Sequence, residues 1–110
     1  SGADLVFGHG PHVLRAVDIY KRRFIAYSLG NFATYGRFSL SGQKGKGVIL
    51  ELSMNSTGEF TSGKLIATKQ IDKGVPILDE EQSAIDTIRL LSKEDFGESA
   101  ILIVFFVLKL

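Results

Sequence analysis

The sequence predicts an α/β fold that is rich in antiparallel strands and carries one helix toward its C-terminus. Two pairs of apolar, β-branched or aromatic runs flank short polar segments, which is the layout of two β-hairpins. After residue 79 the apolar residues adopt helical spacing. With 110 residues, the chain has the bulk of one small domain, so a single unit over 1–110 is expected.

The first elements are a short strand and a hairpin. Leu5–Phe7 is an apolar run, predicted to be a buried strand, and the Gly and Pro residues after it end the strand in a loop. Val17–Tyr20 and Phe24–Leu29 form the predicted hairpin arms, joined by the basic connector Lys21–Arg23. Three adjacent charges at a turn favour a solvated turn over an anion-binding patch.

A glycine-rich loop and a second hairpin follow. Gly36–Gly47 holds four glycines, which indicates a mobile loop, but it lacks the spacing of either nucleotide-binding glycine motif. Val48–Leu52 and Lys64–Thr68 are the arms of the second hairpin, and Asn55–Gly58 is its turn. This hairpin is predicted to be scaffold.

The C-terminal third begins with the helix. Asp79 is the expected N-cap, with Gln82 three residues later, and Pro76 is a stop signal just upstream. The side chains expected to face a sheet are Ala84, Ile85, Ile88 and Leu91. The apolar run 100–108 is about half the length of a membrane-spanning helix, so a buried strand is favoured over a truncated anchor.

Composition excludes several classes of function. Thirteen Lys and Arg against twelve Asp and Glu give a net charge of +1, so nucleic acid is not an expected partner. The chain has no cysteine, which excludes disulfides and zinc-thiolate sites and leaves the compartment open. It starts without methionine or a secretory signal, so we expect a piece of a longer protein.

The two histidines of the chain, His9 and His12, lie three residues apart directly after the first strand. A loop at the end of a strand can aim two neutral imidazoles at one metal ion. Spacing alone favours the alternative, in which both are surface or capping histidines. Asn31 follows a later strand in a Gly-Asn pair, which fits either a turn residue or an amide beside the same cleft. Ser28 has no neighbouring base, so a serine hydrolase is not proposed.

Two blocks of sequence resemble a known family. Residues 2–13, GADLVFGHGPHV, resemble the pattern GADLVIGHxPHV of the bacterial CapA family of poly-γ-glutamate and capsule synthesis proteins. Residues 20–32, YKRRFIAYSLGNF, resemble the family pattern YKxKxIxYSLGNF. Weaker likeness continues to the helix end near Ser92, so the chain resembles a C-terminal segment of such a protein.

This resemblance implies a fold and a site. The family is similar to calcineurin-like metallophosphoesterases, so the chain would form the later half of a two-sheet sandwich. His9 and His12 would be metal ligands and Asn31 a catalytic residue of a two-metal site, with Mn, Zn or Fe as candidate ions. The other ligands would lie upstream, so the site would be incomplete here. Gly10 and residues 33–35 depart from the family pattern and remove polar groups near the cleft.

The resemblance also implies a role in the bacterial cell envelope. The parent would be a metal-dependent hydrolase or transferase acting on an envelope polymer or a phosphorylated intermediate, in a membrane-anchored or extracytoplasmic setting. The alternative is a non-catalytic scaffold or polymer-binding component. Further expected partners are the remainder of the parent domain and, for this segment alone, a second copy, because one helix cannot cover all its sheet faces.

Overall fold

The computed structural model describes residues 2–36 and 39–97 as a mixed α/β structure with two small sheets and one α-helix. The predicted strand at 100–108 lies outside the described residues. In chain order the elements are β1 (Leu5–Phe7), β2 (Val17–Tyr20), β3 (Arg23–Ala26), a 3₁₀ helix (Gly42–Gly45), β4 (Lys46–Met54), β5 (Phe60–Ile71), β6 (Val75–Leu78) and α1 (Ser83–Phe96).

The first sheet has the order β1-β3-β2, with β1 parallel and β2 antiparallel to β3. The predicted hairpin is confirmed, and its tight turn places Lys21 and Arg22 at positive φ, as two-residue hairpin turns require. The second arm ends at Ala26 and not at Leu29 as predicted. Beyond Ala26 the pairing is irregular, because the Leu29 amide donates to the Gly8 carbonyl and not to β2.

The second sheet has the order β4-β5-β6 and is antiparallel throughout. It confirms the second predicted hairpin, whose turn is held by the Asn55 Oδ1, which accepts the amides of Thr57 and Glu59. Strand β6 was not predicted, because Pro76 reads as a stop signal. Proline is tolerated here because β6 is an edge strand.

Helix α1 begins at Ser83, four residues later than the predicted N-cap. Gln82 has a left-handed backbone, with φ of 55°, so the helix cannot extend back to Asp79. Asp79 still stabilises the helix start, because its Oδ2 accepts the Ser83 amide at 3.0 Å and the Ser83 hydroxyl at 2.5 Å. The predicted inner face is confirmed for Ala84, Ile85 and Ile88, which are all buried, whereas Leu91 is half-buried.

One core joins the helix and both sheets. The Ser92 hydroxyl accepts the Val17 amide at 3.0 Å and ties α1 to the first sheet. The described residues contain no helix long and apolar enough to cross a bilayer. The buried apolar residues of the core are Leu14, Val17, Phe24, Ala26, Leu29, Val48, Leu65, Ala67, Ala84, Ile85 and Ile88.

Strand β1 is not buried, contrary to the prediction. Val6 is 47% exposed and Phe7 is 59% exposed, while Leu5 is half-buried. The reason is its position at the edge of a three-stranded sheet, where the described residues pair with it only through β3. Among the described residues, apolar surface of this sheet is therefore left uncovered.

Candidate metal-binding site

Both histidines lie in the loop that follows β1. Gly8 starts this loop, and a Cβ at Gly8 would lie 2.8 Å from the Tyr27 carbonyl oxygen, so the close approach requires glycine. The amide of His12 donates to the carbonyl of His9 at 2.9 Å and closes a tight turn. His12 has φ of 57°, a left-handed conformation that is uncommon outside glycine. The loop thus holds its two imidazoles on one short, constrained turn.

His9 is held by the backbone. Its Nδ1 lies 3.0 Å from the carbonyl oxygen of Gly30. Because a carbonyl only accepts, the Nδ1 carries the proton and donates, and the lone pair lies on Nε2. The His9 ring is exposed and meets the edge of Phe7, with the ring centroids 6.3 Å apart.

His12 is held by a side chain. Its Nδ1 lies 2.9 Å from the Oδ1 of Asn31. The orientation of the Asn31 amide follows from its own contacts, because Nδ2 donates to the carbonyls of His12 and Lys44, each at 3.1 Å. Oδ1 is therefore the acceptor, the His12 Nδ1 carries the proton, and the lone pair again lies on Nε2.

Asn31 lies where the two sheets meet. Gly30 and Gly47 form an isolated bridge between the sheets, and a Cβ at Gly47 would lie 2.3 Å from the Asn31 carbonyl oxygen. Gly30 has φ of 72°, and a Cβ there would lie 2.6 Å from the Lys46 carbonyl oxygen. Two glycines thus permit the close backbone approach that brings Asn31 beneath His12.

The segment after Asn31 rests on β5. The Oε1 of Gln70 accepts the Thr34 amide at 2.7 Å and the Thr34 hydroxyl at 2.9 Å. Two further buried polar atoms on this strand, Thr68 Oγ1 and Gln70 Nε2, have no hydrogen-bond partner in the described part of the chain. This contact was missed from sequence because the predicted strand ends at Thr68, whereas β5 continues to Ile71 and so places the buried Thr68 and Gln70 on one face.

Comparison with known proteins finds a family match in the part of the chain that contains the histidine loop. Residues 1–35 match the family model described as bacterial capsule synthesis protein PGA_cap. Over residues 1–35, the chain is therefore similar to this capsule synthesis family. The matched region contains the whole first sheet together with His9, His12 and Asn31.

Three relatives align with parts of the chain, and two of them carry names of capsule or PGA biosynthesis proteins. An uncharacterized protein, y4sH of Sinorhizobium fredii, is 69% identical over 32 residues, which are 29% of this chain and 7% of that protein. The capsule biosynthesis protein CapA of Bacillus anthracis is 59% identical over 32 residues, 29% of this chain and 8% of that protein. The PGA biosynthesis protein CapA of Bacillus subtilis is 38% identical over 60 residues, 54% of this chain and 16% of that protein.

The chain therefore spans only 7% to 16% of the length of these relatives. Their alignments cover 32 to 60 residues, and the weaker likeness expected up to Ser92 stays a prediction. Whole-protein properties of these relatives do not transfer to the chain by similarity alone.

The two imidazoles are suitable ligands for the divalent metal that is implied by the resemblance to the capsule synthesis family. Metal-ligating histidines commonly donate one ring N–H to a carbonyl or a side-chain oxygen, and both His9 and His12 do this through Nδ1. Within residues 2–36 and 39–97, no group of three or more His, Cys, Asp or Glu could hold a metal ion. The metal role of the histidines and the catalytic role of Asn31 stay predictions.

Ser28 takes a structural part in this region. It is buried, and its hydroxyl accepts the Gly30 amide at 3.3 Å. It therefore supports the Gly30 backbone, whose carbonyl holds His9.

Proposed function

We propose that this chain supplies part of a divalent-metal site in a protein of capsule or poly-γ-glutamate synthesis. His9 and His12 would bind metal through Nε2, and the parent would be a hydrolase or transferase acting on an envelope polymer or a phosphorylated intermediate. The observation that carries the proposal is the matched pair of Nδ1–H contacts, which places the lone pair of both rings on Nε2. The family match over residues 1–35 and the capsule-related names of two relatives support the biological setting.

The two histidines of this chain would bind the metal, and their neighbours would orient the rings. The remaining ligands would come from other parts of the parent protein. A pair of divalent metals, when bound, supplies an activated water and polarises a phosphoryl oxygen. The contribution of this chain is a fixed ring orientation, because His9 is held by the Gly30 carbonyl and His12 by Asn31. Neutral imidazole is a suitable ligand for Zn and Fe and also occurs with Mn, which agrees with the ions implied by the resemblance.

Titration of the chain with Mn²⁺ tests this proposal. Because the chain has two histidines, their ring NMR signals are unambiguous reporters. We expect Mn²⁺ to broaden the signals of both rings, and we expect His9→Ala or His12→Ala to abolish the effect at the remaining ring. Broadening centred on carboxylates elsewhere, or unchanged by either substitution, would show that the histidines bind no metal and would favour the non-catalytic scaffold.

A matched control is Glu51→Gln. Glu51 is an exposed carboxylate on β4 that pairs with Lys64. Lys46 is at the end of β4 that approaches Gly30 beside the candidate site. Glu51 lies five residues along β4 from Lys46, which corresponds to about 16 Å of strand. Removal of this acid should leave the broadening of both histidine rings unchanged.

We also expect the 110-residue chain to hydrolyse no aryl phosphate with added Mn²⁺ or Zn²⁺. Two histidines cannot fix a two-metal centre, which needs several ligands for each ion. The measurement is release of the phenol product over time. Robust turnover that disappears in His9→Ala would show that the chain holds a more complete site than proposed.

A further inference from the structure

The side-chain amide of Asn31 makes three hydrogen bonds within the protein. Its Nδ2 donates to the carbonyls of His12 and Lys44, and its Oδ1 accepts from the His12 ring. Asn31 is only 5% exposed. An amide that is buried and bonded in this way has little capacity left to contact a substrate.

Asn31 forms hydrogen bonds to His12 at two points, the ring and the backbone carbonyl. The contact to the ring selects the tautomer with the proton on Nδ1. The contact to the carbonyl supports a residue whose φ of 57° is unfavourable for a non-glycine residue. Together they fix both the backbone and the ring of a residue on an exposed turn, 19 positions away in sequence.

We propose that Asn31 is a positioning residue that fixes the tautomer and the orientation of the His12 ring, and that it acts on a bound metal only through His12. The part of this inference that concerns metal rests on the proposed function. The Lys44 carbonyl extends the arrangement, because the 3₁₀ helix Gly42–Gly45 sets the position of the second acceptor of the Asn31 amide.

His9 provides an internal control. Its Nδ1–H donates to a backbone carbonyl, that of Gly30, which no side-chain substitution removes. A change at Asn31 that acts only on His12 will therefore leave the tautomer of His9 unchanged. A change that disrupts the whole loop will alter both rings.

Nitrogen NMR of the two imidazoles tests the positioning role directly, because it distinguishes the two tautomers. In the wild-type chain we expect both rings to carry the proton on Nδ1. Asn31→Leu keeps the size and removes the hydrogen bonds, so His12 should lose this fixed tautomer while His9 keeps it. Asn31→Asp keeps an oxygen that can accept from the His12 Nδ1 but loses the Nδ2 donor to the His12 and Lys44 carbonyls, so His12 should keep the Nδ1–H form while its backbone support is lost.

Two results would overturn the inference. One is a wild-type His12 with its proton on Nε2, which needs no variant to detect. The other is an Asn31→Leu chain in which His12 keeps the Nδ1–H form. If Asn31→Leu alters both rings, the loop itself has been disrupted and the wild-type chain decides, because a proton on Nδ1 of His12 supports the role and a proton on Nε2 overturns it.

Metal affinity gives a second readout. Loss of a partner that orients a metal ligand typically weakens binding about 10- to 100-fold, and we expect this for Zn²⁺ with Asn31→Leu. An unchanged Zn²⁺ affinity would overturn the metal part of the inference. A wild-type chain that binds no Zn²⁺ or Mn²⁺ would defeat the proposed function, while the tautomer measurement would still decide the positioning role.

Discussion

The two sheets of the molecule differ in how well they are covered. The second sheet is built on the twelve-residue strand β5, and α1 packs on its buried face through Ile85 and Ile88. The first sheet has strands of three or four residues, and its edge strand β1 exposes Val6 and Phe7.

The family match lies entirely on the less covered side. Residues 1–35 include every strand of the first sheet and the histidine loop, whereas the second sheet and α1 fall outside the matched range. The candidate site is therefore carried by the part with least packing of its own and is supported from behind by the other sheet through the Gly30–Gly47 bridge and the Thr34–Gln70 contact. Site chemistry and scaffold stability belong to different parts of the chain.

The largest expected effect is on the scaffold. Ile88 is fully buried between α1 and the sheets, so Ile88→Ala should lower the free energy of unfolding by about 2 to 5 kcal/mol. A small domain has about 5 to 15 kcal/mol in total, so this variant should lose a large share of its stability. Denaturant titration followed by circular dichroism measures the change.

The matched variant in the other sheet is Val6→Ala. Since Val6 is about half exposed on an edge strand, its truncation should cost less than about 1 kcal/mol. Equal losses for the two variants would mean that the first sheet is packed as well as the second, which would contradict the comparison.

Local sequence patterns predicted much of the scaffold. Both hairpins are confirmed because alternation and turn residues act over a few positions. Strand β6 was missed because Pro76 breaks a strand only where its amide is needed, and an edge position removes that need. The exposure of Val6 also could not be predicted, because burial depends on which elements pack against a strand and not on its composition.

The candidate site was predicted only in outline. The three-residue spacing placed His9 and His12 in one loop, which the structure shows. The contact between His12 and Asn31 spans 19 residues and depends on the position of the Lys44 carbonyl, so no local pattern contains it. Tertiary placement decides which atoms meet, and it is this placement that distinguishes a positioning amide from an ordinary turn residue.

A smaller effect is expected from Asp79, on the well-covered side. Burial raises the pKa of the Asp79 carboxyl, but the hydrogen bonds from the Ser83 hydroxyl and amide and the charge of Lys69 lower it more, so the net pKa lies below its ordinary value. The carboxylate is therefore more stable in the folded state than in the unfolded state. Its contribution to stability is present above about pH 4 and is lost as the pH falls through the lowered folded pKa.

The variant Asp79→Asn isolates this contribution from those of the other acids. At neutral pH we expect it to be less stable than the wild type by about 1 to 2 kcal/mol, because a charge-assisted contact is replaced by a neutral one. The difference in unfolding free energy should shrink as the pH falls below about 4. Urea titrations at neutral and acid pH measure it, and a difference that grew with acidity would contradict the lowered pKa.

The smallest effect on monomer stability is expected where the first sheet is open, but this is where self-association should occur. Strand β1 is wholly apolar and pairs with β3 on one side, whereas β2 carries Asp18 and β6 carries Pro76, residues that discourage edge pairing. Val6→Lys should leave the unfolding free energy within about 0.5 kcal/mol and reduce the concentration-dependent self-association that we expect of the wild type, as measured by light scattering. The control is Ile49→Lys, on an exposed face of β4, whose edge is already occupied at its start by the Val48 amide donating to the Leu29 carbonyl. Loss of the oligomer in Ile49→Lys but not in Val6→Lys would assign the open surface to the second sheet and reverse the comparison.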